Sequence, residues 1–125
     1  MVKVVMTLKR DDTSKDWVIP NKETIDKGIF SKEEIDVVVN TRNAYSYLPG
    51  YVTSSTDFVD DYTYTFTIEF DTQEAAKSAY NAIKNPPTNS LIYIRQQLMN
   101  LKRNRLGLNY EFNVELKWNI YYYQY

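Results

Sequence analysis

The chain predicts an α+β domain, with a four-stranded antiparallel sheet of strand order 4-1-3-2 and helices on one of its faces. Two observations carry that expectation. Four runs of residues have strand character, and the clearest alternate apolar with polar residues at the period of a strand buried on one face. Between them lie rows of helical spacing, opened by capping patterns and closed by Pro or Gly. The length agrees: 125 residues, 43% hydrophobic and 25% charged, are the size and composition of a single domain, 1–125. Such a domain buries roughly two thirds of the surface its unfolded chain exposes.

Val2, Val4, Met6 and Leu8 alternate with Lys3, Val5, Thr7 and Lys9 and form the first strand. Residues 10–30 are polar and broken by Pro20 and Gly28, which predicts an inserted loop with one short helical turn, pinned by Trp17, Val18 and Ile19. Ser31 and Glu34 make a capping box for a helix with Ile35, Val38 and Val39 on one face, ending near Tyr47 before Pro49 and Gly50. Tyr51 to Val59 and Tyr62 to Phe70 are rich in Thr, Tyr, Val and Phe and read as a hairpin turning at Asp60 and Asp61. In the second of these, Tyr62, Tyr64, Phe66, Ile68 and Phe70 share a face. Asp71 and Glu74 suggest the next cap, for a helix with Ala75, Ala76, Ala79, Tyr80 and Ile83 that Pro86 and Pro87 terminate. Leu91, Ile94, Leu98 and Leu101 give a third helix its apolar row, and Gly107 offers a left-handed C-cap. Tyr110 to Ile120 alternate again, and the last strand is expected to run nearly to Tyr123.

The order β, α, β, β, α, α, β is the split βαβ arrangement, a ferredoxin-like βαββαβ plan with one additional helix. Composition narrows the chemistry. The chain has no Cys, which excludes disulfides, thiol nucleophiles, zinc-thiolate sites and iron-sulfur clusters, and no His, which excludes imidazole-based catalysis and ligation. A net charge of -1 provides no global field for a nucleic-acid backbone, so no nucleic-acid partner is expected. No apolar run approaches a membrane span, and Met1 to Leu8 lack the layout of a signal peptide, which predicts a cytoplasmic protein with no membrane association. No cofactor and no metal site are expected. Asp11, Asp12 and Asp16, like Asp57, Asp60 and Asp61, miss the spacing of a calcium loop.

The stretch YTYTFTIEFDTQEAAKSAY, Tyr62 to Tyr80, resembles the dimeric ferredoxin-like, or dimeric α+β barrel, superfamily. There a strand ends in an aromatic and an acid, and the following helix opens Gln-Glu-Ala-Ala. The resemblance is architectural and matches no catalytic motif. It implies a homodimer whose sheets face one another, in some members around a small-molecule cavity.

Candidate ligand-pocket residues are Trp17, Tyr45 and Tyr47, at the loop and helix edge that would roof a cavity, with Thr67 and Glu69 on the uncovered sheet face. Core or interface packing is the default account of the aromatics, and a solvated or dimer-facing polar surface that of the sheet. Arg95, Lys102, Arg103 and Arg105 complement the carbonyl end of their helix dipole. These residues lead to a non-enzymatic dimeric module that binds a ligand or partner. The alternatives are a cofactor-independent monooxygenase-like enzyme and a phage or viral accessory or structural protein. The Tyr-rich end, Tyr121 to Tyr125, is expected to dock on the second protomer, because unpaired backbone and exposed rings are seldom left facing water.

Overall fold

Strand β1 (Val2–Arg10) is the centre of the sheet, paired antiparallel with β3 (Thr63–Phe70) on one side and β4 (Tyr110–Trp118) on the other. Strand β2 (Tyr51–Phe58) pairs outside β3, so the order is β2-β3-β1-β4, the order expected from the sequence. The structure is a computed structural model and describes residues 2–11, 22–107 and 109–118. The helices are α1 (Lys22–Asp26), α2 (Lys32–Asn43) with a 3-10 turn Ala44–Tyr47, α3 (Gln73–Lys84) and α4 (Leu91–Arg105).

Register aligns the apolar rows. Val4 lies opposite Ile68 and Leu116, Met6 opposite Phe66 and Val114, and Leu8 opposite Tyr64 and Phe112. A slip by one residue would turn each row to the other face. That other face carries Lys3, Thr7, Lys9, Glu115 and Lys117, with Lys3 Nζ 3.4 Å from the Glu69 carboxylate across the strands.

Local chemistry explains the element ends. Ser31 Oγ accepts from the Glu34 N–H at 3.1 Å while Glu34 Oε1 accepts from the Ser31 N–H at 3.0 Å, the reciprocal capping box expected for α2. The cap of α3 is Thr72, not Asp71: Thr72 Oγ1 accepts from the Ala75 N–H. Asp71 is instead engaged by its own N–H, which donates to the Gly50 carbonyl at 3.0 Å and ties the end of β3 to the turn before β2. Ser90 caps α4 by accepting from the Tyr93 N–H, and Gly107 with φ 66° ends it. In the hairpin Asp60 accepts the Tyr62 N–H at 2.8 Å, and Arg10 Nε donates to the Asp61 carbonyl at 2.9 Å.

Two apolar clusters form. In the main one, Ala76, Ala79 and Ile83 bring α3 close to Val4, Ile68, Phe70 and Val114, all buried. In the smaller one, Phe30, Val38 and Met99 lie between α2 and α4. Helix α4 departs from expectation. Leu91, Ile94 and Leu101 are exposed, Leu98 is only partly buried, and the buried residues are Ile92, Met99 and Lys102. Helix α4 packs on α2, and two polar ties set its rotation. Lys102 Nζ lies 2.6 Å from Glu34 Oε2, and Gln96 Nε2 donates to the Ile83 carbonyl at 3.0 Å. Lys102 is thereby buried, its ammonium 5.6 Å from the Phe30 ring centroid. Trp17 and the expected extension of β4 with its docking tail, 119–125, lie outside the described residues.

Gly50 has φ 79°, and a Cβ there would sit 2.5 Å from Ala75 Cβ and 2.6 Å from Asp71 Oδ1. Gly50→Ala is therefore expected to destabilise the fold by about 2 to 4 kcal/mol, left-handed strain and overpacking together. Ile68→Ala, at a position with no exposure, is expected to cost about 2 to 5 kcal/mol. Urea denaturation checks both; a loss below about 0.5 kcal/mol at either position would contradict the packing described.

Candidate functional site

Helix α3 has twelve residues and covers only the end of the sheet near Val4. The opposite end of the same face, around Leu8, is roofed by α2, the 3-10 turn and α4, and these stand off from the strands. A cavity of about 420 Å³ results. Met6 and Leu8 from β1 and Tyr64 and Phe66 from β3 form its floor, with Thr56, Phe58 and Phe112 along the outer strands. Val39, Phe58 and Phe112 are about half exposed (46%, 54% and 46%) and mark the mouth, while Tyr45, Val38 and Met99 are buried at the back.

The roof is polar where a packed helix would be apolar. Arg95, Met99 and Arg103 lie at i, i+4 and i+8 on α4 and share one side, with Gln96 and Asn100 beside them, and all five line the cavity. Arg95 Nη1 and Arg103 Nε are buried and meet no hydrogen-bond acceptor among the described residues. Among the described residues no Asp or Glu lines the cavity, and no ion pair involves either arginine.

Aromatic groups hold the two guanidiniums. Arg103 stacks over the Tyr110 ring at 4.6 Å, and burial lowers its pKa, partly offset by the nearby Tyr64 and Tyr110 hydroxyls. Burial raises the Tyr45 hydroxyl pKa above its usual value, against the opposing influence of Arg95. Tyr64 is raised by burial too, while Arg103 and Arg95 both act to lower it. Both phenols stay protonated at neutral pH. Tyr45 also packs on Phe66, with ring centroids 5.6 Å apart, and Phe58 packs on Tyr64 at 5.6 Å. The chemistry available is that of an apolar, ring-lined pocket carrying two cations and several neutral hydrogen-bonding groups.

Of the five candidate residues read from the sequence, Tyr45 lines this cavity. Tyr47, two residues on in the 3-10 turn, is 82% exposed and is not part of the lining. Thr67 and Glu69 alternate with Phe66 and Ile68 and occupy the other face of the sheet, where Glu69 pairs with Lys3. Trp17 lies outside the described residues. The structure therefore does not bring the set together. Sequence reading missed Arg95 and Arg103 as lining groups, although their eight-residue spacing with Met99 between them placed all three on one side of a helix. Among the described residues no group of three or more Asp or Glu is placed to hold a metal ion, and no helix is long and apolar enough to cross a membrane.

No protein-family profile matches the chain, and no curated protein matches it in sequence. Two solved structures are similar in architecture. One is a candidate antibiotic biosynthesis monooxygenase from Deinococcus radiodurans, with 12% identity, a TM-score of 0.45, and 94% of this chain covering 91% of that one. The other is a dimeric ferredoxin-like protein from an uncultured marine organism, with 10% identity, a TM-score of 0.44, and 96% of this chain covering 95% of that one. The strand order and the helices on one face make the chain a ferredoxin-like α+β domain.

The Glu34–Lys102 pair, which holds the cavity roof to α2, makes stability depend on pH. The lysine, together with the Ser31 N–H, holds the Glu34 carboxyl below its ordinary value of 4.5. The folded chain therefore takes up this proton less readily than the unfolded one. The stabilisation is complete above the ordinary value and is lost as pH falls through the depressed one. Between about pH 5 and about pH 3 the melting temperature of the parent chain is expected to fall more steeply than that of Glu34→Gln. Identical slopes in calorimetry would show that the pair contributes nothing.

Proposed function

We propose that this protein is a non-enzymatic binding module that takes a small organic ligand into the cavity between its sheet and helices α2 and α4, and that it works as a homodimer. One observation carries the reading: the sheet face that elsewhere packs against α3 is left open beneath a roof that places Arg95, Gln96, Asn100 and Arg103 toward it. At about 420 Å³ the space matches a ligand of one or two rings. Among the described residues its ionisable lining is Arg95, Arg103, Tyr45 and Tyr64, and burial moves both tyrosine hydroxyl pKa values further above neutrality, away from the range of a general base. The homodimer rests on the mixed-charge face, which no described helix covers, and on β2 and β4 as edge strands among the described residues, which a second copy would cover.

A second reading, a cofactor-independent oxygenase, is favoured by the same mixed lining, since Tyr45, Tyr64, Gln96 and Asn100 would surround a reactive ring. Oxygen uptake with phenolic and quinol substrates separates the two: binding without uptake supports the module, and sustained uptake the enzyme.

Titration with 2-naphthoate and its amide, followed by the change in probe fluorescence, tests the cavity. At least one is expected to bind, and Val39→Trp at the mouth is expected to weaken that binding by about tenfold or more. Absence of binding by both, or binding indifferent to the tryptophan, would reject the site. Sedimentation at micromolar concentration is expected to give twice the chain mass, and a monomer would reject the dimer.

A further inference from the structure

The cavity's charge and its unpaired donors say what kind of ligand it takes. We infer that the ligand is an organic carboxylate with an aromatic body, its anionic head held between Arg95 and Arg103 beside the Tyr64 hydroxyl. This rests on the cavity being a binding site. Among the described residues two arginines line the space and no carboxylate does, so that part of the lining leaves the cationic charge without a counter-charge. Arg95 Nη1 and Arg103 Nε are both buried without an acceptor among the described residues, and buried charged donors are costly to leave so.

The positions suit one head group. The two residues are separated along α4 by about 12 Å at the backbone, and both side chains line the one cavity. Arg95 acts on Arg103 by repulsion, and both act on Tyr64. An anion between them relieves that repulsion and accepts from a planar fork, the geometry in which guanidinium binds carboxylate best. The stack of Arg103 on Tyr110 holds one fork in place before any ligand arrives. Away from the head, Phe66, Phe58, Phe112 and the aliphatic floor of Met6 and Leu8 offer rings and apolar surface, which selects an aromatic body over a sugar or a peptide.

Calorimetric titration of the full chain with 2-naphthoate, 2-naphthamide and octanoate tests this. The acid is expected to bind at least about tenfold more tightly than the neutral amide and than octanoate. Arg95→Gln and Arg103→Gln should each weaken naphthoate binding by about tenfold and lower the ratio of acid to amide affinity, and Arg103→Lys should fall between. Equal affinity for acid and amide would overturn the anionic head while leaving the cavity a binding site; octanoate binding more tightly than naphthoate would overturn the aromatic body. Failure of all three probes would instead remove the underlying site. Thermal melts identify any variant that does not fold, and the acid-to-amide ratio in the parent chain decides the matter without variants.

Discussion

The sheet offers one apolar face about nine residues long, and the helix that packs closely on it covers only part of that length. Close packing at the Val4 end depends on Ala76 and Ala79, whose small side chains let α3 approach Ile68 and Phe70 until no exposure remains. Among the described residues no helix lies as close over Leu8 and Tyr64. There the roof rests on α2 and α4, which pack on one another through Phe30, Val38 and Met99 and meet the strands only around the rim. Dense packing is the rule in protein interiors, so a space of this size beside a fully packed core is a feature that the surrounding contacts must hold open.

Those contacts are polar as well as apolar. Lys102 is drawn inside by Glu34, which is itself oriented by Ser31 in the capping box of α2. One acid therefore both begins a helix and fixes the rotation of another. Gln96 does the corresponding work toward α3 through the Ile83 carbonyl. With α4 held at these points, its Leu91, Ile94 and Leu101 face outward and its arginines face inward, the reverse of what amphipathic burial alone selects. The energetic cost is an exposed apolar row and buried guanidinium groups, and such costs are characteristic of binding sites.

The two faces of the sheet differ in their charge. The uncovered face mixes Lys3, Glu69, Glu115 and Lys117 in pairs that nearly cancel. The covered face is apolar except for the arginines brought over it by α4. A molecule with both a charged and a ringed part finds its match only on the second.

Strands β1, β3 and β4 were legible because alternation of period two is a strictly local signal, and the register followed from matching apolar rows such as Val4, Ile68 and Leu116. The Ser31 box and the Gly107 stop were legible for the same reason, each being complete within a few residues. At Asp71 that local reading was one residue early, because a distant group, the Gly50 carbonyl, competes for its backbone. The binding site was not legible in this way. Arginines at the end of a helix look alike whether they complement its dipole or line a cavity, and only the rotation of α4 distinguishes the two. That rotation is decided by Glu34, 68 positions away from Lys102 in sequence and 2.6 Å from it in space. Local periodicity thus determined the elements and their order, whereas the side of α4 that meets the sheet, and with it the charge of the cavity, was decided by contacts that exist only once the chain is folded.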